Sequence, residues 1–414
     1  MLTFGQRCAA VTFFLACELV PLAGVASAQG DYWMYVGTWT SWGQGKGIYV
    51  FKFQSSAGKV EAMGIAAGRL WQSNRDALAS SPPRVFAQFW TEWPSVKKMI
   101  LGVHDPNYLT IHPNGRYLYT ADSNYDKAGD VSAFQVDPET GKLTMLTTKS
   151  SAGVQPCFVS VDKTGKNLLV ANFGDTVAVL PINATGHLLD ATSVVQLDGW
   201  GPDQARKPHP HSVTVSPDNR FAIVTDMGRD EVLVYRFDAN KGTLTPNDPA
   251  FIKLPSGTNP RHFCFHPNGI FGYVNGESGS HITAMRWDGQ RGAFTPIDTI
   301  SSLPKDFHGA SIGAEMLVHP NGRFLYASNL GHDSIAVFAI DPAKGTLAPV
   351  EYASAHGKTP EHFLIDPTGN YLFVANLFSG NLVQFRIDQQ TGRLDPVSSF
   401  GVPNPAGMKF LQAK

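Results

Sequence analysis

The chain has no excess charge of either sign: 33 Lys and Arg against 34 Asp and Glu leave a formal net charge of -1 over 414 residues. A polyanionic partner needs a basic field, so nucleic acid and anionic membrane surfaces are excluded as partners. Cysteine is scarce too, with only Cys8, Cys17, Cys157 and Cys264, and the first two fall in an N-terminal leader. That excludes a disulfide framework and leaves open a single bridge between Cys157 and Cys264. Long hydrophobic runs are also missing: the apolar stretch from Ala9 to Val25 is interrupted by Glu18, and neither half reaches the roughly 20 residues of a spanning helix.

Met1 to Ala28 instead reads as a secretory signal, with Arg7 in the n-region and Ala26-Ser27-Ala28 as the small-residue cleavage site. The expected mature chain starts near Gln29 and is periplasmic or secreted, with no membrane span once the signal is removed. A lipid-anchored start at Cys17 is the alternative.

Glycine and turns are plentiful. With 40 Gly, 28 Pro, 43% hydrophobic residues and only 16% charged ones, the composition suits a large all-β protein. Turn signatures recur as HPNG at His112, DKTG at Asp162, SPDN at Ser216, HPNG at His266, HPNG at His319 and DPTG at Asp366, 47 to 54 residues apart. Each turn is preceded by a short strand, introduced by proline in most copies, and followed by a second strand such as YLYTADS or FGYVNGE. A third strand with apolar-rich alternation, such as DEVLVYRF, and a more variable fourth complete the period.

About fifty residues and four strands per period specify a β-propeller. Counting strands gives seven blades, the ring closing where Pro405–Leu411 pairs beside the strand that begins at Tyr32. Residues 29–414 are expected to form one such domain, interrupted by an insertion at about 61–104 that carries RVFAQFWTEWPSVKKM. An aromatic-rich loop of that length is either a lid or a plug for one end of the ring.

Strand phase then locates a site. The start of an inner strand and the end of the second strand lie at the same mouth of the central channel, and these registers are six residues before and ten after the turn proline or its equivalent. The first register holds Asn107, Cys157, His211, Arg261, Ala314 and Glu361; the second holds Ser123, Phe173, Met227, Glu277, Leu330 and Leu377. A histidine, a cation and a carboxylate thus converge from distant parts of the chain.

The phrases PHPHSVTVSPDNRFAIVTDMGRDEVLVY, NPRHFCFHPNGIFGYVNGE and AEMLVHPNGRFLYASNLGHDSIAVF, over Tyr32 to Leu411, resemble the propeller lactonases. That family includes 6-phosphogluconolactonases and the enzyme that cyclises 3-carboxy-cis,cis-muconate. The resemblance implies a channel-mouth site in which His211, Arg261 and Glu277 are catalytic, with Glu277 or His211 as base and Arg261 as oxyanion donor. His209, His262, Glu315, Asn329 and Glu361 are the expected substrate-binding residues, and Glu315 is a candidate partner for Arg261. Leu330 stands where the family often has a second arginine, and Glu361 where many relatives have another, so both departures remove a cation.

A small-molecule lactone with little negative charge is therefore the expected substrate of an exported hydrolase. The competing readings are a non-catalytic propeller binding a small molecule, glycan or protein at the same face, and a lactone-forming isomerase. No cofactor and no metal are expected, and a monomer is. His112, His266 and His319, repeated at the opposite face, are expected to pack turns, and Cys157 to act as a small buried apolar residue.

Overall fold

The structure, a computed structural model, describes residues 30–41, 44–68, 104–123, 127–199 and 206–413. The expected signal and most of the expected insertion lie outside these. The described residues form 28 strands in seven four-stranded antiparallel sheets. Six sheets are consecutive in sequence, with inner strands Pro106–Ile111, Pro156–Val161, Pro210–Val215, Pro260–Phe265, Ile312–Val318 and Pro360–Ile365. We number these blades one to six. The seventh joins Pro405–Gln412, as its inner strand, to Asp31–Thr38, Gly47–Gln54 and Lys59–Gly68. Because Lys59–Gly68 is its outer strand, the first residues of the stretch expected as an insertion from about 61 belong to the blade.

Each inner strand packs against the next around the ring. The apolar clusters lie between blades rather than within them: Phe373 and Ala375 of blade six pack with Met34, Phe53 and Met408 of the closing blade, and Tyr273 and Phe338 unite blades four and five. A single sheet cannot bury both faces, so the packed ring is the cooperative unit.

Two repeated polar staples hold neighbouring blades together. His112, His266 and His319 each place Nε2 2.7–2.8 Å from the turn glycine carbonyl of the following blade, at Gly165, Gly322 and Gly369. Those glycines have φ of 74°, 73° and 74°, and an added Cβ would stand only 2.5–2.8 Å from the imidazole, so glycine is required for both conformation and space. Tyr35, Tyr119, Tyr273 and Tyr326 likewise donate their buried hydroxyls to Gly141, Gly186, Gly345 and Gly392 of the next blade, at 2.8–3.1 Å.

Cys157 and Cys264 are both free thiols, in blades two and four.

Candidate active site

The inner strands of blades one to six each carry a register irregularity close to their start, between Pro106 and Tyr108, Pro156 and Phe158, Pro210 and Ser212, Pro260 and Phe263, Gly313 and Met316, and Pro360 and His362. A bulge of this kind frees a residue from the ladder and re-aims its side chain. The residues freed are Asn107, Cys157, His211, Arg261 with His262, Ala314 with Glu315, and Glu361. Polar groups of the second strands steady the bulges: Thr225 Oγ1 accepts from the Ser212 amide at 3.0 Å, Asn275 Oδ1 from His262 at 2.8 Å and Ser328 Oγ from Glu315 at 3.0 Å. Thr225 Oγ1 also donates to the Arg261 carbonyl at 2.7 Å, so blade three fixes the backbone of blade four's cation.

All of these bulges except blade five's contribute to a cavity of about 160 Å³ lined by His211, Arg261, Glu277, Glu361, Leu330 and Leu377, among others. His211, Arg261 and Glu277 therefore share one cleft, as the strand phase predicts. Ala314, Ser123 and Met227, from the same registers, do not line it.

Arg261 is the electrostatic centre. Its Nη2 donates to Glu361 Oε1 at 2.6 Å, while Nε lies 3.2 Å from Glu277 Oε2. The second contact is ionic rather than a hydrogen bond, because the N–H does not point along it: Nε, like Nη1, has no hydrogen-bond partner. Burial works against the guanidinium charge, but Glu361 and Glu277 outweigh it and raise the Arg261 pKa. The Glu277 carboxyl is pushed up by burial, opposed by Arg261 and reinforced by the Glu361 charge. His211 is held well below the ordinary histidine range by burial and then by Arg261, which makes it a neutral imidazole. Its Nδ1 is buried without a partner.

Glu315 is not the partner of Arg261 that the sequence suggested. It is 2% exposed and sits beneath the cavity floor, where Oε1 contacts His262 Nδ1 at 2.9 Å and Oε2 lies 2.9 Å from His362 Nε2. Burial raises its pKa, yet the two histidines set against it outweigh burial and hold it well below the usual carboxylate range. Tyr108 completes the floor, with its ring edge-on to both imidazoles and stacked 4.1 Å from Phe158, and with Lys409 Nζ 5.2 Å from its centroid.

Like Glu315, two further expected binding residues, Asn329 and His209, fall outside the cavity lining. Asn329 is fully buried and its side chain is consumed by Ser302, donating to the Ser302 carbonyl at 2.7 Å and accepting from its hydroxyl at 2.6 Å. His209 stacks flat on Phe173 at 4.4 Å with Nδ1 2.8 Å from the Phe173 carbonyl, so it supports a wall residue. Cys157 does line the cavity, but its thiol is pushed up to about 12 by burial, which makes it inert.

Tyr108 and His362 were missed in the sequence. A signal was present: they stand five residues before their turn prolines, the register that also holds Phe158, His262 and Glu315. Among the described residues no group of three or more His, Cys, Asp or Glu is placed to hold a metal ion, and no helix is long and apolar enough to cross a membrane.

Comparison with known proteins agrees with this architecture. The family model described as lactonase, 7-bladed beta-propeller, matches residues 93–410. The 6-phosphogluconolactonase of Bacillus subtilis is 34% identical over 272 residues, covering 65% of this chain and 76% of its own. That of Formosa agariphila is 30% identical over 339 residues, covering 80% and 85%. The solved structure of the periplasmic gluconolactonase of Pseudomonas aeruginosa superposes with a TM-score of 0.78 at 29% identity, covering 93% of this chain and all of that one. With its fold, channel-mouth cavity and family match in agreement, this chain belongs to the seven-bladed β-propeller lactonases.

Proposed function

We propose that the cavity hydrolyses the ring ester of an uncharged, polyhydroxylated lactone, with Glu277 as base and Arg261 as oxyanion donor. The observation that carries this reading is Arg261: a buried cation flanked by two carboxylates whose Nη1 is left without a protein partner. Attack by water on the lactone carbonyl places negative charge on its oxygen, and a prepositioned N–H in a water-poor site stabilises that charge. The raised proton affinity of Glu277 suits it to take the proton from water and return it to the departing ring oxygen. His211, held neutral by burial and by Arg261, serves as a hydrogen-bonding wall.

The charge balance supports an uncharged substrate. Two carboxylates face one guanidinium in the cavity, Leu330 supplies none, and a phosphate or carboxylate needs several cationic donors. The same balance disfavours a lactone-forming isomerase acting on a polyanion. Export of residues 29–414 as one domain is part of this reading, supported by the signal-like Met1 to Ala28 and by the periplasmic relative.

The test is turnover of D-glucono-1,5-lactone and its 6-phosphate by the mature protein, alongside Glu277→Gln and Arg261→Lys. Glu277→Gln is expected to lower kcat by roughly a hundredfold or more at unchanged Tm, and the unphosphorylated lactone to be preferred. If wild type opens neither lactone above background, a non-catalytic binding role replaces this reading.

A further inference from the structure

Glu315 is an anion with two imidazoles pressed against it, and that arrangement determines where their protons sit. An ionised carboxylate only accepts. His262 must therefore carry its proton on Nδ1, 2.9 Å from Glu315 Oε1. His362 Nε2 lies 2.9 Å from Oε2; two lone pairs that close would repel, so the proton of His362 sits on Nε2, although it points off the line of a full hydrogen bond. Both rings then turn a bare lone pair away from Glu315, His262 at Nε2 and His362 at Nδ1, and both residues line the cavity. His362 Nδ1 is buried without a partner.

Other cavity side chains present the same polarity. Asn107 Oδ1 is buried and unpartnered because its Nδ2 turns to the Pro156 carbonyl at 3.4 Å. Glu277 and Glu361 each spend one oxygen on Arg261. Against these acceptors stands the unpartnered Nη1 of Arg261.

We infer that Glu315 is a positioning residue that makes the cavity floor an array of hydrogen-bond acceptors, so that the site selects ligands by their hydroxyl donors. This rests on the lactonase reading for the reaction but deepens it by naming what the floor recognises: the ring hydroxyls of a neutral polyol. A buried acceptor array rejects a ligand lacking those hydroxyls more strongly than an apolar wall rejects one carrying them, because the acceptors would be left unpaired. A phosphate or carboxylate, which brings lone pairs of its own, is repelled.

Glu315→Gln tests this. The amide oxygen can keep the His262 proton, but the NH₂ group then faces His362, whose ring must accept at Nε2 and carry its proton at Nδ1. One acceptor in the floor becomes a donor. By calorimetry, 1,5-anhydroglucitol, a polyol ring with no ester, should bind wild type and bind Glu315→Gln about tenfold or more weakly, with Tm retained. Equal affinity for the two proteins, or no binding to wild type, overturns the inference. Imidazole ¹⁵N NMR on wild type decides it independently of how the variant folds: protons on His262 Nδ1 and His362 Nε2 support it, and the opposite tautomer at either ring overturns it. Neither measurement depends on turnover, so failure of lactone hydrolysis sinks the proposed reaction while leaving the floor to be judged by binding and tautomer.

Discussion

Asp122 offers a test of the electrostatics that needs no substrate. It lies at the end of blade one's second strand, is 4% exposed and, among the described residues, has no cation in ion-pair contact, only the hydroxyls of Thr120 and Ser132. Burial raises its pKa to about 7, the two hydroxyls lower it in part, and Asp130 and Asp105 add repulsion. The unfolded chain titrates near the ordinary 3.8, so folding is penalised wherever the unfolded carboxyl is ionised and the folded one resists ionisation. The cost is absent below pH 3.8, builds between about 4 and 7, and is complete above 7. A displacement of about three pKa units corresponds to about 4 kcal/mol at full ionisation. Asp122→Asn removes the charge while keeping the shape; it also weakens two charge-assisted hydrogen bonds, so a net gain of about 2–4 kcal/mol is expected at pH 8. Urea denaturation of both proteins at pH 4.5 and pH 8 measures this. The gain should be small at pH 4.5 and grow towards pH 8. A difference that stays flat across that range would show that Asp122 ionises normally in the folded state and refute the reasoning.

Other predictions concern the site and the staples. Glu361→Arg should shift the preference between D-glucono-1,5-lactone and its 6-phosphate towards the phosphate by about tenfold or more, since it replaces an anion in the cavity with a cation; an unchanged kcat/KM ratio would count against the charge argument. Cys157, with its thiol pushed up to about 12 by burial, should react with a disulfide reagent at pH 8 in the native protein far more slowly than in the protein unfolded by urea. Tyr326→Phe, which removes the 2.8 Å bond to Gly392, should cost about 1 kcal/mol by denaturant titration with kcat unaffected, because it acts at a seam between blades and not in the cavity.

Much of this arrangement was legible in the sequence because propeller geometry repeats. Turn spacing gave the strand count, and strand phase placed His211, Arg261 and Glu277 at one mouth without any pairwise information. What strand phase did not reveal was the bulge at the start of each inner strand, a backbone adjustment set by contacts with the second strand. Because of it, two consecutive side chains, Arg261 and His262, leave the ladder together, and a second ring of residues forms the floor. Glu315 was assigned to Arg261 on chemical complementarity; the fold gives Arg261 to Glu361, 100 residues away, and Glu315 to two histidines. Asn329, an expected binding residue, is consumed by Ser302. Such pairings are decided across blades, and no local pattern encodes them.

The closing blade also bears on how the protein responds to tension. Tyr32 pairs with Gln412, and the amide of Ala413 donates to the Asp31 carbonyl at 2.8 Å, so Gly30 and Ala413 leave the sheet at the same end of one antiparallel pair. A force drawing those two residues apart runs across the strands and opens the ladder one rung at a time, as a zipper opens, instead of shearing all its bonds at once. The splice is therefore a line along which such a force opens the ring rung by rung, and a covalent link between residues near Gly30 and Ala413 would guard it without touching the site.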